Sequence, residues 1–260
     1  MKSLIAWLFG FLYLKKLYQK HYNNSELKNN FWNKTLELFN IKYSILNTEK
    51  IPKTGPVIIV CNHPFGLVDG LIIADTVSKK RGDYRILIND EISQVDLIRP
   101  YLFPLKLDEK RESIKFNLKS KNDAIQYVQN GGALIIFPSG EVATRQKIFE
   151  KAIEKRWQSI LGAIIRKTEA AICPVYFHGE NSFLFHLLGM MHYPLRRILF
   201  ARELINKKNK FFKAICLPTY HTSQFIGKGN SEISNELREY TLRGKELSLI
   251  HISEPTRPFH

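Results

Sequence analysis

Residues 56–80 read PVIIVCNHPFGLVDGLIIADTVSKK, a short β-branched apolar run followed by a loop and a second apolar segment. The turn dipeptide Gly55-Pro56 stands before the run, so a buried strand is predicted to begin there. The apolar residues of 70–80 recur at helical spacing and predict a helix. A strand that leads through a short loop into a helix is the building unit of parallel sheets.

The same alternation of strand and helix continues along the chain. Further strands are predicted at 84–90, 133–139 and 170–177, and helices at 121–129, 147–167 and 231–243. Because successive parallel strands need crossover connections, the sequence predicts an α/β fold with a largely parallel central sheet flanked by helices. We expect one domain over 31–243, with its site at the carboxyl ends of the strands.

The amino terminus differs in composition from the rest of the chain. Residues 3–14, SLIAWLFGFLYL, carry no charge and precede Lys15, Lys16 and Lys20. As a helix they would be about 18 Å long, shorter than the roughly 30 Å hydrocarbon core of a bilayer. We therefore expect residues 1–30 to form a hydrophobic, amphipathic helix that anchors the chain at a membrane surface, with the lysines at the headgroups. A cleaved signal peptide and an ordinary packed helix are the alternatives.

The last residues do not continue the pattern. Residues 244–260, GKELSLIHISEPTRPFH, follow the predicted helix at 231–243 without keeping its period. They resemble the translated read-through of a sequencing adaptor or linker, so we expect a non-native tail in place of the natural carboxyl terminus.

Composition narrows the class of partner without choosing one. Lys and Arg number 39 against 24 Asp and Glu, and the net charge of +15 favours a membrane surface, a nucleic acid or an acidic carrier. The aromatic share of 12% excludes a mostly disordered chain. Three cysteines, an odd number, argue against a disulfide framework and favour a location that faces the cytosol.

The stretch that carries chemistry is CNHPFGLVDG, residues 61–70. His63 ends an apolar strand, and Asp69 begins the next helix, where N-capping and the helix dipole favour its charge. Gly66 allows the loop to fold back, so the Asp69 carboxylate reaches the imidazole Nδ1 and leaves Nε2 as a proton acceptor. This arrangement predicts a general base. A turn histidine beside an ordinary N-cap, and a nucleophilic Cys61, are the alternatives.

A second polar block, FPSGEVATR at 137–145, also follows an apolar strand. Successive backbone N–H groups in such a turn hold an oxyanion or a phosphate, and Arg145 would add positive charge. A plain strand-to-helix turn is the alternative. No metal site is predicted, since His178, His186 and His192 come without an HExxH, a Cys-x-x-Cys or a nearby carboxylate pair.

Together the two blocks resemble those of the glycerolipid (lysophospholipid) acyltransferase superfamily, also called PlsC-like, whose hallmarks are Asn-His-x4-Asp and a later Phe-Pro-Glu-Gly-Thr-Arg. More similar is a bacterial branch that is labelled hemolysin-like and includes ornithine-lipid-type O-acyltransferases. Its blocks, Asn-His-Pro-x-Gly-x-x-Asp-Gly and Phe-Pro-x-Gly-Glu-Val, match residues 62–70 and 137–142. The resemblance covers 51–243, with further similar runs at 174–177, Gly179, Asn181-Ser182 and 202–207.

Two departures from the main family bear on the acceptor. Five residues rather than four separate His63 from Asp69, so the extra loop residue must be accommodated near Gly66. Ser139 stands where the main family has glutamate, and the acid follows at Glu141. Because the main family is associated with a glycerol-phosphate acceptor in this region, the resemblance implies a non-phosphate acceptor for this chain.

The resemblance implies a membrane-associated acyltransferase that moves a fatty acyl group from an acyl thioester directly to the hydroxyl of a lyso-aminolipid or a lysophospholipid. His63 is implied as the general base, with Asp69 as its partner. Substrate or oxyanion binding is implied for six further residues: Asn62, Gly66, Ser139, Gly140, Glu141 and Arg145. No bound cofactor is expected, and acyl-CoA or acyl carrier protein serves as co-substrate.

Two other functions remain open at this point. One is a 1-acylglycerol-3-phosphate acyltransferase, and the other, from a different class, is a non-catalytic basic protein that binds membranes or nucleic acid. The acyltransferase prediction implies anionic membrane lipids as partners, without nucleic acid. It places the protein peripherally on the cytoplasmic face of the inner membrane, in an oligomeric state for which the sequence has no signal.

Overall fold

The computed structural model describes residues 2–23, 25–106, 108, 110–191 and 199–246. The strands in this part of the chain are β1 Lys42–Leu46, β2 Val57–Cys61, β3 Tyr84–Asn89, β4 Leu102–Leu105, β5 Ala133–Ile136, β6 Ala171–Phe177, β7 Phe211–Cys216 and β8 Tyr220–His221. The α-helices there are α1 Lys2–His21, α2 Ser25–Asn29, α3 Phe31–Leu38, α4 Leu67–Ser78, α5 Arg111–Gln129, α6 Ile160–Ile165, α7 Phe183–Met191, α8 Phe200–Asn206 and α9 Asn230–Leu242.

These strands form one sheet in the order β1-β7-β6-β2-β5-β3-β4, and β8 pairs with the start of β6. The central strand β2 pairs in parallel with β5 and β6, so Val57 stands opposite Ala133 on one side and Ala171 on the other. β7 is parallel to β1 but antiparallel to β6. The predicted α/β fold, with a largely parallel sheet flanked by helices, is therefore confirmed.

The two faces of the sheet carry separate apolar layers. Successive side chains of a strand point to opposite faces, so Ile59 of β2 packs into one layer while Ile58 and Val60 pack into the other. Helices α3 and α4 cover the first layer, and α5, α6 and α9 cover the second. Burial on both faces explains why β2 is an unbroken apolar run rather than an alternating one.

The helix predicted over 147–167 is wrong for most of its length. Only Ile160–Ile165 is helical, and in the irregular segment before it Thr144 and Ile153 pair as an antiparallel bridge. Glu154 of this segment is 5% exposed and accepts a hydrogen bond from the chain just beyond β2. This long-range contact overrides the local preference for a helix.

Helix α5 is longer than the sequence predicts. It begins at Arg111, whereas the apolar period predicts a start at Lys121. The period is hidden because Ile114 and Leu118 are 60% and 52% exposed, while Ser113 is buried. A small polar residue therefore makes the buried side of this turn, and a hydrophobic pattern does not detect it.

Helix α1 is the predicted amino-terminal helix, and it lies against α8. A Cβ placed on Gly10 would stand 3.5 Å from the backbone N of Arg202 and 3.7 Å from the Cβ of Ala201, so the two helices approach closely. Leu14 packs on the first core layer. Among the described residues, none of the helices combines the length and the apolar character that crossing a bilayer requires. The anchoring role of residues 1–30 stays a prediction.

Most of the predicted tail, residues 247–260, lies outside the described residues. The helix expected at 231–243 is present as α9. Gly244 follows it and packs so closely on Tyr176 that a Cβ there would stand 2.6 Å from the Tyr176 Cβ. The described chain thus continues against the sheet after α9.

Candidate active site

His63 lies two residues beyond β2, at the carboxyl edge of the sheet. Its side chain is 19% exposed, and its Nδ1 is 2.9 Å from Oδ2 of Asp69. A carboxylate only accepts hydrogen bonds, so the imidazole donates from Nδ1 and Nε2 is left with a lone pair. The structure therefore brings together the two residues that the sequence predicts as base and partner.

Asp69 is held in place by three donors on one oxygen. It lies in the first turn of α4 with its side chain fully buried. Besides the imidazole, the backbone N–H groups of Phe65 and Gly66 donate to Oδ2 over 3.0 Å and 3.1 Å. The other oxygen, Oδ1, is buried without a hydrogen-bond partner among the described residues. The orientation of the carboxylate is thus fixed by the loop that connects it to His63.

Gly66 makes this loop possible. Its φ of +87° lies in the left-handed region, which side chains with a Cβ rarely adopt. A Cβ there would stand 3.2 Å from Val142 and 3.3 Å from the ring of Phe200. Five residues separate His63 from Asp69, one more than in the main family, and the tight turn at Gly66 accommodates the extra residue.

The backbone of His63 is bonded on both sides to the segment that follows β5. Its carbonyl oxygen accepts from the N–H of Ala143 over 2.8 Å, and its own N–H donates to Oε2 of Glu154 over 3.1 Å. The ring of Phe137 lies 4.3 Å from the imidazole, measured between ring centroids, at an angle of 37°. These contacts fix both the main chain and the ring plane of His63.

Glu154 is a site residue that sequence reasoning missed. Its second oxygen accepts from the indole Nε1 of Trp157 over 3.2 Å. Burial raises the pKa of Glu154 above its ordinary value, and the hydrogen bond from the His63 N–H acts in the opposite direction. Because its partner His63 is 91 positions away in the sequence, no local pattern could have pointed to this contact.

Asn62 links the ends of two neighbouring strands. Its side-chain amide donates to the carbonyl oxygen of Phe177 over 3.0 Å, and its side-chain oxygen accepts from the N–H of the same residue over 2.6 Å. The side chain is buried, and both of its polar atoms have protein partners. In this geometry Asn62 holds β2 to β6 beside His63, and a contact with substrate stays a prediction.

The turn after β5 also uses its polar groups internally. The hydroxyl of Ser139 donates to the carbonyl oxygen of Glu141 over 2.7 Å, and the N–H of Gly140 donates to the carbonyl oxygen of Phe137 over 3.0 Å. The Glu141 carboxylate forms an ion pair with Lys155 at 2.7 Å. The oxyanion role predicted for this turn therefore requires donors other than the Gly140 N–H.

Arg145 has an acidic partner that the sequence does not suggest. It forms a two-point ion pair with Glu180, in which Nε stands 3.3 Å from Oε2. Glu180 also accepts from the N–H of Ala152 over 3.0 Å. Burial opposes ionisation of Glu180, but the hydrogen bonds from Arg145 and Ala152 outweigh it, and the pKa of Glu180 is lowered. The positive charge of Arg145, which was expected to meet an anionic substrate, is thus neutralised by the Glu180 carboxylate.

A buried ion pair lies behind the loop that joins His63 to Asp69. Lys207 donates to Oε2 of Glu203 over 2.9 Å and also to Asn181, while the N–H of Ser182 donates to the same Glu203 oxygen over 3.1 Å. Its Nζ stands 5.5 Å from the centre of the Phe65 ring. Desolvation lowers the pKa of Lys207, although the Glu203 charge acts in the opposite direction. The runs at 181–182 and 202–207, which resemble the bacterial acyltransferase branch, therefore form one cluster that supports the loop between His63 and Asp69.

The Phe65 ring is the point where this cluster meets the loop. Gly179 has a φ of +118°, and a Cβ there would stand 2.5 Å from the ring, so only glycine fits beneath it. The ring also packs edge-on against Phe212 at 4.9 Å between centroids. A cleft of about 420 Å³ opens beside it, lined by Lys207 and Lys210 among others.

Cys61 does not have the environment of a nucleophile. The side chain is completely buried in the core, and burial raises the pKa of its thiol well above the ordinary value. Catalytic cysteines need the opposite, an exposed thiol with a lowered pKa. Within the described ranges, no group of three or more His, Cys, Asp and Glu side chains is placed to hold a metal ion.

Comparisons with known proteins show the family of the chain. A family model described as acyltransferase matches residues 18–215. A lyso-glycine lipid O-acyltransferase from Phocaeicola vulgatus is 26% identical over 188 residues, which cover 68% of this chain and 63% of the relative. A protein of the same name from Bacteroides thetaiotaomicron is 23% identical over 214 residues, 77% of this chain and 76% of the relative.

A solved structure is similar over almost the whole chain. The crystal structure of the 1-acyl-sn-glycerophosphate (LPA) acyltransferase PlsC from Thermotoga maritima superposes with a TM-score of 0.56 at 15% identity, and the match covers 98% of both chains. At this identity the likeness concerns the fold alone. The match to the Phocaeicola protein spans less than two thirds of that relative's length.

Proposed function

The chain belongs to the acyltransferase family, within the PlsC-like superfamily that its motifs resemble, and on that premise we propose that it acylates the hydroxyl of a lyso-lipid. The observation that carries the proposal is the contact of 2.9 Å between His63 Nδ1 and Asp69 Oδ2, at the edge of the sheet where ligands bind in α/β folds. A partly exposed imidazole with Nε2 as acceptor meets the first requirement of a general base.

The proposed reaction is a direct transfer. Nε2 of His63 takes the proton of the acceptor hydroxyl while the oxygen attacks the thioester carbonyl carbon. The Asp69 carboxylate stabilises the imidazolium that forms. As the tetrahedral intermediate collapses, the C–S bond breaks and the imidazolium proton passes to the leaving thiolate. This route needs no acyl-enzyme, which is consistent with the buried and weakly acidic Cys61 thiol.

We assign stabilisation of the tetrahedral oxyanion to the segment 137–145. Its Ala143 N–H is bonded to the His63 carbonyl oxygen, so the segment lies directly beside the base. Preorganised backbone donors next to a reacting carbonyl are the usual source of such stabilisation. Ser139, Gly140 and Glu141 enter the proposal as residues that shape this turn, and the Gly140 N–H, which donates to Phe137, is not the oxyanion donor.

The acceptor we favour is a lyso-aminolipid. Arg145 is paired with Glu180, and Ser139 replaces the main family's glutamate, so the expected phosphate site is altered. The two relatives compared are named lyso-glycine lipid O-acyltransferases. The second candidate is a 1-acylglycerol-3-phosphate acyltransferase, because the Thermotoga protein of similar fold is named for that activity.

A side-by-side assay tests the proposal. Purified protein would be given a lyso-glycine lipid and lysophosphatidate, each with labelled acyl-CoA and with labelled acyl carrier protein, and His63→Ala would be the control. We expect acylation of the lyso-glycine lipid by the wild type only. Acylation of lysophosphatidate alone would favour the second candidate. Inactivity on both acceptors, or an unimpaired His63→Ala variant, would contradict the enzyme proposal.

We further propose that residues 1–30 hold the protein peripherally on the cytoplasmic face of the inner membrane. Each lysine near an anionic surface contributes about 1 kcal/mol, so replacing Lys15, Lys16 and Lys20 by Gln should weaken sedimentation with phosphatidylglycerol vesicles by at least about tenfold. Neutral phosphatidylcholine vesicles serve as the control, on which both proteins should bind alike. Equal binding to the anionic vesicles would contradict the anchor.

A further inference from the structure

The turn that follows Arg145 exposes apolar side chains. Phe149 is 97% exposed, and Ile148 and Ile153 near it are 43% and 42% exposed. Single exposed apolar residues are common on protein surfaces, but three within six positions form a patch. Among the residues whose side-chain exposure is described, which leaves out 1–9 and 11, no other large apolar side chain reaches the exposure of Phe149, and Ile226 follows at 83%.

The turn displays Phe149 on an ordered backbone. The N–H of Glu150 donates to the carbonyl oxygen of Lys147 over 3.2 Å, which closes the turn. Nη1 of Arg145 donates to the carbonyl oxygen of Ile148 over 3.1 Å, and Glu180 accepts from the far side of the turn. Three hydrogen bonds therefore hold the backbone of the turn that carries Phe149.

Basic residues flank the apolar tip along the chain. Lys147 and Lys151 are exposed on either side of it, and Lys155 and Arg156 are exposed after the bridge residue Ile153. Glu150 is the acid within the turn, and it pairs with Lys147 at 2.9 Å. An aromatic side chain flanked by lysines fits the interface of an anionic lipid surface, with the ring among the acyl chains and the ammonium groups at the headgroups.

The shape of the patch favours lipid over a protein partner. A stable protein interface buries about 800 Å² on each partner and places its aromatic anchors in pockets. Here the ring projects from a narrow turn, and a deformable surface accommodates such a projection without a matching pocket. Phe183 at the start of α7 is a further exposed ring, 51% exposed, and lies 6.0 Å from the guanidinium of Arg145.

The turn is connected to His63 at both ends. The N–H of Ala143 before it bonds to the His63 carbonyl oxygen, and Glu154 after it accepts from the His63 N–H. We propose that the turn at residues 146–151 inserts Phe149 into an anionic lipid surface and so sets the position of His63 relative to the layer that contains the acceptor. The benefit to catalysis rests on the proposed function, whereas insertion itself does not.

A fluorophore placed on the turn tests the insertion directly. Cys61, Cys173 and Cys216 are all buried, so a cysteine introduced by Phe149→Cys is the site that a thiol-reactive nitrobenzoxadiazole dye will label. Ile226→Cys is the matched control. Ile226 lies near β8, which pairs with the amino end of β6, at the edge of the sheet opposite to the carboxyl edge where His63 lies.

We expect phosphatidylglycerol vesicles to shift the emission of the dye at position 149 to shorter wavelength and to increase it severalfold, with quenching by spin-labelled acyl chains. The dye at position 226 should remain in water. An unchanged spectrum at position 149, while the protein sediments with the vesicles, would overturn the proposal. Because neither readout uses activity, inactivity on every lyso-lipid would refute the proposed function and leave the insertion result intact.

A second variant separates lipid from protein as the occupant. Loss of one inserted phenyl ring in Phe149→Ser should weaken partitioning into these vesicles by about tenfold, whereas Ile226→Ser should leave it unchanged. If Phe149→Ser instead raises the KM for an acyl carrier protein thioester and partitions like the wild type, the turn binds a protein and the proposal is wrong.

Discussion

Replacement of Asp69 by Asn removes a charge from the site while it keeps the hydrogen bonds. The Oδ2 position accepts from the His63 imidazole and from two backbone N–H groups, so only the amide oxygen can occupy it. The amide nitrogen then takes the place of Oδ1, which has no hydrogen-bond partner among the described residues. An unpaired buried donor costs about 1–3 kcal/mol, so we expect a lower free energy of unfolding with the same fold.

The effect on rate follows from the charge that develops on the imidazole. Two unit charges 4 Å apart interact by about 4 kcal/mol at an effective dielectric constant of about 20, and a half-developed charge interacts by about half as much. Loss of about 2–4 kcal/mol in the transition state lowers kcat by roughly 30-fold to 1,000-fold. The Nδ1–H tautomer of His63 is retained, because the amide oxygen still accepts from it.

A double-mutant cycle with His63→Ala makes this reasoning refutable. Removal of a general base lowers the rate by about 10²–10⁴-fold. Since Asp69 acts through the imidazole, adding Asp69→Asn to His63→Ala should change kcat by no more than about twofold. The assay is transfer of a labelled acyl group to the lyso-lipid, with urea unfolding as the control for folding. Multiplicative losses in the double variant would show that Asp69 acts independently of His63, and the general-base pair would be refuted.

Two further changes test the support of this pair. Gly66→Ala should lower the free energy of unfolding by more than Gly55→Ala. Both glycines have positive φ, but only a Cβ at position 66 would meet neighbouring atoms, the nearest at 3.2 Å. Urea titration of the two variants measures the difference, and equal losses of stability would contradict a tight loop at Gly66. Glu203→Gln should destabilise the protein near neutral pH but much less in acid. The pKa of Glu203 is lowered in the folded state, since attraction to Lys207 and hydrogen bonds outweigh burial, so its stabilisation is present above its ordinary value of 4.5 and is lost as the pH falls through the folded value. Unfolding curves of both proteins against pH should converge in acid, and a constant gap would refute the assignment.

The sequence predicts the parts of the site that lie within one strand–loop–helix unit. His63, Gly66 and Asp69 are neighbours along the chain, so the end of an apolar run, a glycine and a helix start are enough to bring base and carboxylate together. The strands around them are predicted because they are buried on both faces and appear as unbroken apolar runs. Each of these signals is local.

The missed contacts join distant parts of the chain. Glu154 reaches His63 across 91 positions and Glu180 reaches Arg145 across 35. The apolar and polar spacing of 147–167 suits a helix, but tertiary contacts of Ala152, Ile153 and Glu154 draw the segment into an irregular path. The resemblance gave the 202–207 run no role, and its role emerges when the fold packs Lys207 on Phe65.

Two carboxylates hold His63, and their different environments give them different tasks. Asp69 receives three hydrogen bonds at the start of a helix, where its negative charge is favoured, and it contacts the ring that would become positive in the proposed reaction. Glu154 accepts a hydrogen bond from the peptide N–H of His63, and burial raises its pKa. In the proposed reaction, Glu154 would hold the main chain of His63 in place, and Asp69 would stabilise the charge that develops on its ring. Phe149 lies in the same segment, five residues before Glu154. A lipid surface that binds Phe149 would therefore act on His63 by changing its position.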